Sequence, residues 1–208
     1  MAVNRDDNVK EKIIDASIKL FLKSGFVGTS MKELTDAVGV ARGTIYWYFK
    51  SKDRILEEVL DKVSREIYDV AYERVNACEG NFLTKFRTLY RFLSECARDN
   101  RELLLMSTTV VGEIAETGTD AEKKIKSTQM KFHRFIKALL DEGQRQGIVR
   151  ADLDTGIQAH IMIGNLMGSY LQWCLYGNSF DANAYAKAFR EGALRGLLTE
   201  EAVRARDA

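Results

Sequence analysis

The chain has 208 residues, enough for one or two domains with a real core, and no proline, where an average chain would hold roughly 5%. Uninterrupted helices, and so an all-α protein, are the expectation. A formal net charge of +1 excludes a global polycation for nucleic acid, although residues 1–54 hold ten Lys/Arg against seven Asp/Glu.

The first helix is predicted from about Asn8 to Ser24, with Ile13, Ser17, Leu20, Phe21 and Ser24 on its inner face. Gly25 closes it, and Phe26 is placed to fold back as the hydrophobic contact of a Schellman cap. Arg5, Lys10 and Lys12 offer positive charge to phosphates or simply solvate the start of the chain. Ser30 then reads as the N-cap of a second helix, and Glu33 three residues later completes a capping box. Met31, Leu34 and Val38 share a face, and Gly39 ends the helix where positive φ is cheapest.

A third helix follows from about Ala41 to Phe49. At about 100° per residue, Ala41, Ile45 and Phe49 point to a core. Arg42, Gly43, Thr44, Tyr46 and Trp47 then face outward, with Tyr48 on the boundary. A short helix exposing a Trp, a Tyr, a Thr and an Arg implies an unseen partner surface. Two helices joined by a glycine turn, the second with a polar and aromatic outer face, match the pattern of a DNA-reading helix-turn-helix.

The stretch from about Ile13 to Leu60, with Gly28-Thr29, the aromatic run Tyr46-Trp47-Tyr48-Phe49 and the following Lys50-Ser51-Lys52, resembles the tetracycline-repressor (TetR) family of bacterial regulators. The resemblance implies a DNA-binding domain at 1–52 and an effector-binding and dimerisation domain at 53–208. It implies DNA contacts from Ser30, Arg42, Gly43, Thr44, Tyr46, Trp47, Tyr48 and Lys52. Arg42 reaches guanine edges in that scheme, the aromatic residues donate to phosphates, and Lys52 meets a phosphate at the start of the fourth helix. Position 41 often carries a capping Ser in this family. Ala41 departs from it, which predicts a more easily frayed helix.

Ser51 reads as the N-cap of a long fourth helix, apolar at 3–4 spacing from Ile55 to Val75 and ending near Cys78. A fifth runs from Asn81 to about Arg98 and a sixth from about Arg101 to Glu116. Thr119 and Glu122 form another capping box for a seventh reaching about Gln146. The eighth, about Thr155 to Tyr176, lacks any Asp, Glu, Lys or Arg. Its Gln158, His160, Asn165, Ser169 and Gln172 oppose a transmembrane reading and favour burial on nearly all sides in a soluble core. The ninth spans about Asp181 to Leu198. The whole is an all-α chain of about nine helices: a three-helix head plus a helical bundle.

Gly164/Gly168 and Ala188/Gly192/Gly196 are small residues at helical spacing, and mid-helix glycine costs about 1 kcal/mol relative to alanine. The family resemblance implies that these last two helices pair with their symmetry mates in a homodimer. Phe86, Tyr90, Met106, Val110, Phe132, Phe135 and Tyr170 are candidates to line an effector pocket, with Glu113, Asn165 and His160 to orient a polar group. Their simpler reading is ordinary core, as it is for His133. Cys78, Cys96 and Cys174 are too widely spaced for a disulfide framework or a zinc site. No metal or cofactor is expected.

The start of the chain shows no signal peptide, so the cytoplasm is expected, with no membrane partner. No clustered His/Cys/carboxylate set, phosphate-cradling glycine loop or nucleophile elbow points to an enzyme. The expected function is a ligand-relieved repressor, acting as a homodimer on a double-stranded, inverted-repeat operator and answering to a lipophilic or amphipathic small molecule. An activator of the same architecture and a helical small-molecule-binding protein or enzyme without DNA binding are the alternatives.

Overall fold

The computed structural model describes residues 5–179 and 181–207. Helices α1 (Arg5–Ser24), α2 (Met31–Val38), α3 (Arg42–Tyr48) and α4 (Lys52–Val63) open the chain. A π-helical turn (Ser64–Asp69) leads into α5 (Val70–Asn76), and α6 (Phe82–Asp99), α7 (Arg101–Ile114) and α8 (Asp120–Arg145) follow. Then come α9 (Thr155–Tyr176), α10 (Ala182–Leu197) and α11 (Glu200–Asp207). The described residues contain no strand, only an isolated antiparallel bridge between Val149 and Leu198. The chain divides into two compact units: residues 1–65 with 100–128, and 66–99 with 129–208.

In the first unit α1 packs on α2, α4 and α7, and α4 packs on α7. Ile13, Ile14, Ile18 and Phe21 of α1 meet a core that includes Leu34, Ile45, Phe49 and the α4 stripe Ile55, Leu56, Val59, Leu60 and Val63. Gly25 donates back to the Phe21 carbonyl, the single bond of an αL cap, while the Phe26 N–H goes to Glu113 and leaves the Schellman bond unmade; the expected hydrophobic contact is present, with the Phe26 ring edge-on to Phe21 at 5.2 Å. Ser17 is buried with its hydroxyl on the Ile13 carbonyl at 2.6 Å. Ser24, expected to face inward, is exposed: it lies in the last turn, where α1 outruns its core.

The capping box at α2 is formed in full. Ser30 Oγ accepts from the Glu33 N–H at 3.2 Å, and Glu33 Oε2 accepts from the Ser30 N–H at 2.7 Å. These bonds from Ser30 hold the Glu33 carboxyl below the usual carboxylate range. Gly39 takes the left-handed conformation at φ 71. Ser51 caps α4 by accepting from the Arg54 N–H at 3.3 Å. Ala41 is the N-cap residue of α3 and makes no side-chain cap bond. It is exposed, against the expectation of an inward position, because it precedes the first helical turn.

The long fourth helix is not uniformly α. Its apolar stripe continues through Ile67, Ala71 and Val75, but six residues adopt i→i+5 geometry, and the boundary between the two units falls inside that turn. The Thr119/Glu122 box is half formed. Thr119 Oγ1 accepts from the Glu122 N–H, while the Glu122 carboxylate reaches past the cap to the N–H groups of Gly118 and Glu116. Glu116, whose N–H makes one of these bonds, takes a left-handed conformation at φ 64.

In the second unit α6 packs on α5 and α10. Phe82, Phe86, Leu89, Tyr90 and Phe92 of α6, Ile136, Leu139 and Leu140 of α8, and Leu194 and Leu197 of α10 are buried. Asp154 and Asp181 cap α9 and α10 through their carboxylates. The C-terminal α11 escaped the sequence reading. It is anchored by Thr199, whose N–H donates to Ile148, and by an Arg206–Glu191 ion pair at 3.0 Å.

Helix α9 departs from its expected burial on nearly all sides. Ile157, Ile161, Gly164, Asn165, Gly168, Gln172, Leu175 and Tyr176 are exposed, and they trace one face along its whole length. No helix of the described residues is long and apolar enough to cross a membrane.

Candidate nucleic-acid interface and effector site

Helix α3 is held by two inward residues, Ile45 and Phe49, which leaves its opposite side free of the core. Trp47 is 71% exposed and Tyr46 is also exposed. The Trp47 ring sits edge-on to Tyr48 at 4.7 Å, so a large apolar plate is braced at the protein surface. Arg42 lies over the Tyr46 ring at 5.5 Å, a cation–π pair that orients the guanidinium along the outer face. Gly43, Thr44, Trp47 and Tyr48 line an open depression, and a side chain added at Gly43 would meet nothing within 4 Å. Arg42, Gly43, Thr44, Tyr46, Trp47 and Tyr48 are thus gathered on one short helix, where donors and aromatic plates alternate. Such a face can donate to phosphates and reach base edges.

Ser30 and Lys52 are placed differently. Ser30 spends its hydroxyl in the capping box, where it also donates to Glu33 Oε2 at 2.8 Å. An ammonium has three donors. Those of Lys52 point at the carbonyls of Phe26 (2.5 Å), Val27 (3.0 Å) and Thr29 (2.7 Å), and the ammonium lies 4.6 Å from the centre of the Phe26 ring. Burial lowers its pKa, partly opposed by Asp53, Glu113 and Glu33 nearby. In this conformation Lys52 fastens the turn between α1 and α2 and has no hydrogen left for a phosphate. Of the basic residues near the start, Lys10 pairs with Glu58 at 2.9 Å; the Arg5 side chain lies outside the described residues.

The effector candidates divide between the units. Met106 and Val110 are buried on α7 in the first unit. In the second, Phe86 stacks on Tyr90 at 4.4 Å, and Tyr90 approaches Phe189 at 5.7 Å. Tyr68 stacks on Phe132 at 4.5 Å, and Phe135 lies beside Phe132 and Tyr72. Tyr170 is buried. Tyr90 is only 4% exposed, and its hydroxyl has no hydrogen-bond partner. Burial pushes the Tyr90 phenol well up and the Tyr68 phenol to about 12, so both are neutral donors. An orphaned buried hydroxyl costs about 1–3 kcal/mol and calls for an explanation, of which a ligand's polar group is one.

Three candidates, Glu113, Asn165 and His160, are not in apolar surroundings. Asn165 lies on the exposed face of α9, beside Gly164. Glu113 accepts from the backbone N–H groups of Phe26 and Val27 in the first unit. His133 Nε2 sits 2.9 Å from the Gly156 carbonyl, and its ring lies 4.0 Å from the exposed His160. Tyr68 and Phe189 join the aromatic groups without having been foreseen. Tyr68 directly follows Ile67 in the α4–α5 stripe, which is the signal that marks it.

The exposed faces of α9 and α10 carry the small residues. Gly164, Gly168, Gly192 and Gly196 have nothing within 4 Å of a would-be Cβ, and Ala188 is exposed beside them. No group of three or more His, Cys, Asp or Glu that could hold a metal ion occurs among the described residues.

Comparison with known proteins gives this arrangement a context. Residues 13–59 match the family model described as bacterial regulatory proteins, tetR family. The HTH-type transcriptional regulator AcrR of Shigella flexneri is 27% identical over 186 residues, covering 86% of this chain and 85% of that one. The MbdR regulator from Azoarcus sp. CIB superimposes with a TM-score of 0.80 at 25% identity, over 92% of this chain and 100% of that one. FadR from Bacillus subtilis, solved in complex with stearoyl-CoA, shares the fold at a TM-score of 0.75 and 22% identity, over 89% and 98% of the two chains. The helix-turn-helix with its outward aromatic face is the part of this chain that the family model covers, and that part belongs with the bacterial regulatory proteins of the tetR family.

Proposed function

We propose that the protein is a ligand-responsive transcriptional repressor that binds an inverted-repeat operator as a homodimer. The observation that carries this is the outer face of α3: Trp47 and Tyr46 exposed, Arg42 held over Tyr46, and Gly43 and Thr44 leaving room for close approach. A monomeric helical adaptor has no use for a braced tryptophan at its surface. The open, glycine-lined face shared by Ile157, Ile161, Gly164, Gly168 and Leu175 is the surface for a second copy, joined by Ala188, Gly192 and Gly196. Two symmetric heads must then match sites spaced about 34–36 Å apart, or a multiple of that, on B-DNA. The protein acts in the cytoplasm and has no catalytic role.

The effector is lipophilic or amphipathic. Support comes from the aromatic groups around Tyr90 and Phe132 and from the orphaned Tyr90 hydroxyl. Glu113 does not orient the effector's polar group in this reading, because its carboxylate is occupied by two peptide N–H groups. An effector relieves repression only through its differential affinity for the two states, typically about 1–3 kcal/mol in coupling.

The experiment is a footprint on the DNA flanking the coding sequence, followed by titration of the protected site with and without stearoyl-CoA as an amphipathic probe. A symmetric footprint, with operator affinity lowered by the probe and probe affinity lowered equally by operator, is the expected result. A folded dimer that protects no DNA overturns the reading.

A further inference from the structure

We propose that Glu113 is a positioning residue that latches α7 to the turn before the helix-turn-helix, so that the DNA-binding head is competent only while α7 holds its place. This rests on the repressor reading above and names the regulation of that same head.

The turn is gripped from two sides. Gly25, at φ +76, turns the successive N–H groups of Phe26 and Val27 in one direction, a concavity suited to an anion. Glu113 fills it: Oε1 accepts from Phe26 at 3.1 Å and Oε2 from Val27 at 2.9 Å. The carbonyls of the same two residues accept from Lys52 at the start of α4. Thr29 closes the turn with its hydroxyl on the Gly25 carbonyl at 2.6 Å, and the next residue, Ser30, caps α2. Helix α7 thus ends in direct hydrogen bonding with the segment that sets where the helix-turn-helix begins.

Nothing local accounts for the carboxylate. Glu113 lies one residue from the C-terminal end of α7, where a negative charge is disfavoured by the helix dipole. Its side-chain hydrogen bonds among the described residues are those two amides. A Cβ at Gly25 would sit 2.9 Å from Glu113 Oε2, so the turn is built with the carboxylate in place. Earlier on the same helix, Met106 and Val110 are buried candidates for effector contact. Helix shifts in switching proteins are commonly about 1–2 Å. A displacement of that size along α7 stretches both bonds beyond hydrogen-bonding range.

The test uses full-length wild type, Glu113→Ala and Glu113→Asp. The aspartate keeps the charge but is one methylene too short, and it serves if the alanine variant does not fold. Amide exchange at Phe26 and Val27 is measured beside that of Leu34 and Ile45, together with affinity for the footprinted operator across salt concentrations. We expect faster exchange at 26 and 27 only, and operator affinity lowered at least tenfold with an unchanged salt slope. If exchange quickens while operator affinity stays within twofold of wild type, the contact is merely structural and the proposal falls. If exchange at 26 and 27 does not change, the latch itself is refuted. Wild type that binds no operator defeats the repressor reading and this inference with it; wild type that binds, with variants equal to it, defeats the inference alone.

Discussion

Replacing Lys52 by methionine separates two roles that predict opposite results. The side chain keeps much of its length but loses three charge-assisted hydrogen bonds, to Phe26, Val27 and Thr29. Bonds to charged groups contribute about 1.5–3 kcal/mol each when well shielded. Lys52 is only partly buried, Val27 is exposed to water, and the Phe26 carbonyl still accepts from the Thr29 N–H. The Thr29 carbonyl, in a buried residue, is the serious loss. A net cost of about 2–3 kcal/mol follows, which for a chain of this size lowers Tm by about 5–10 °C. A phosphate contact predicts something else: loss of one contact per head reduces the salt slope by about 0.9, or about 1.8 for a dimer. The assay pairs calorimetry with fluorescence anisotropy on operator DNA between about 50 and 200 mM salt. We expect the Tm drop with an unchanged slope. An unchanged Tm with a slope reduced by about 1.8 would refute the clamp and restore Lys52 to the DNA surface.

Three further outcomes are expected. Gly168→Leu and Gly192→Leu each place a large side chain on an open face that a second copy must approach, so the light-scattering mass should fall toward that of a monomer; a mass unchanged in both would give those glycines another role. Arg42→Ala should relax preference at one base position per half-site, a discrimination of about 1–3 kcal/mol, while leaving Tm within about 2 °C; an unaltered base profile in a selection experiment would count against base contact. Glu122 is held at about 2 by Lys126 and by the amides of Gly118 and Glu116. A depressed carboxyl stabilises above its unfolded value and loses that contribution as pH falls from about 4.5 to about 2. The stability gap between wild type and Glu122→Gln should therefore be full at pH 7 and shrink across that window in urea titrations; a gap independent of pH would contradict the assignment.

Local chemistry was readable where a signal and its partner lie within a few residues. Ser30 and Glu33, Gly39, Ile45 with Phe49, and Ser51 with Arg54 are all pairings of that kind, and each formed as the spacing implies. The outward face of α3 follows from the same arithmetic. The contacts of Lys52 and Glu113 were not legible because their partners are distant in the chain: the turn at 26–29 lies 23–26 residues before one and 86–87 before the other for the amides concerned. No periodicity reports such a contact. Helix α9 misled for a different reason. An apolar face reads the same whether its own chain or a second copy covers it, so Asn165 looked interior. The π turn left no trace either, since its apolar residues keep a spacing compatible with a continuous α-helix.

The central claim is that the exposed side of α3 reads DNA. Its most direct test is equilibrium competition between the footprinted inverted repeat and a scrambled duplex of equal length, for wild type and Trp47→Ala, over a range of salt concentrations. The account predicts a preference of at least about a thousandfold for the repeat at physiological salt. It also predicts that Trp47→Ala weakens binding without changing the mass of the dimer. Equal affinity for the two duplexes at every salt concentration, by a folded wild-type dimer, would contradict it.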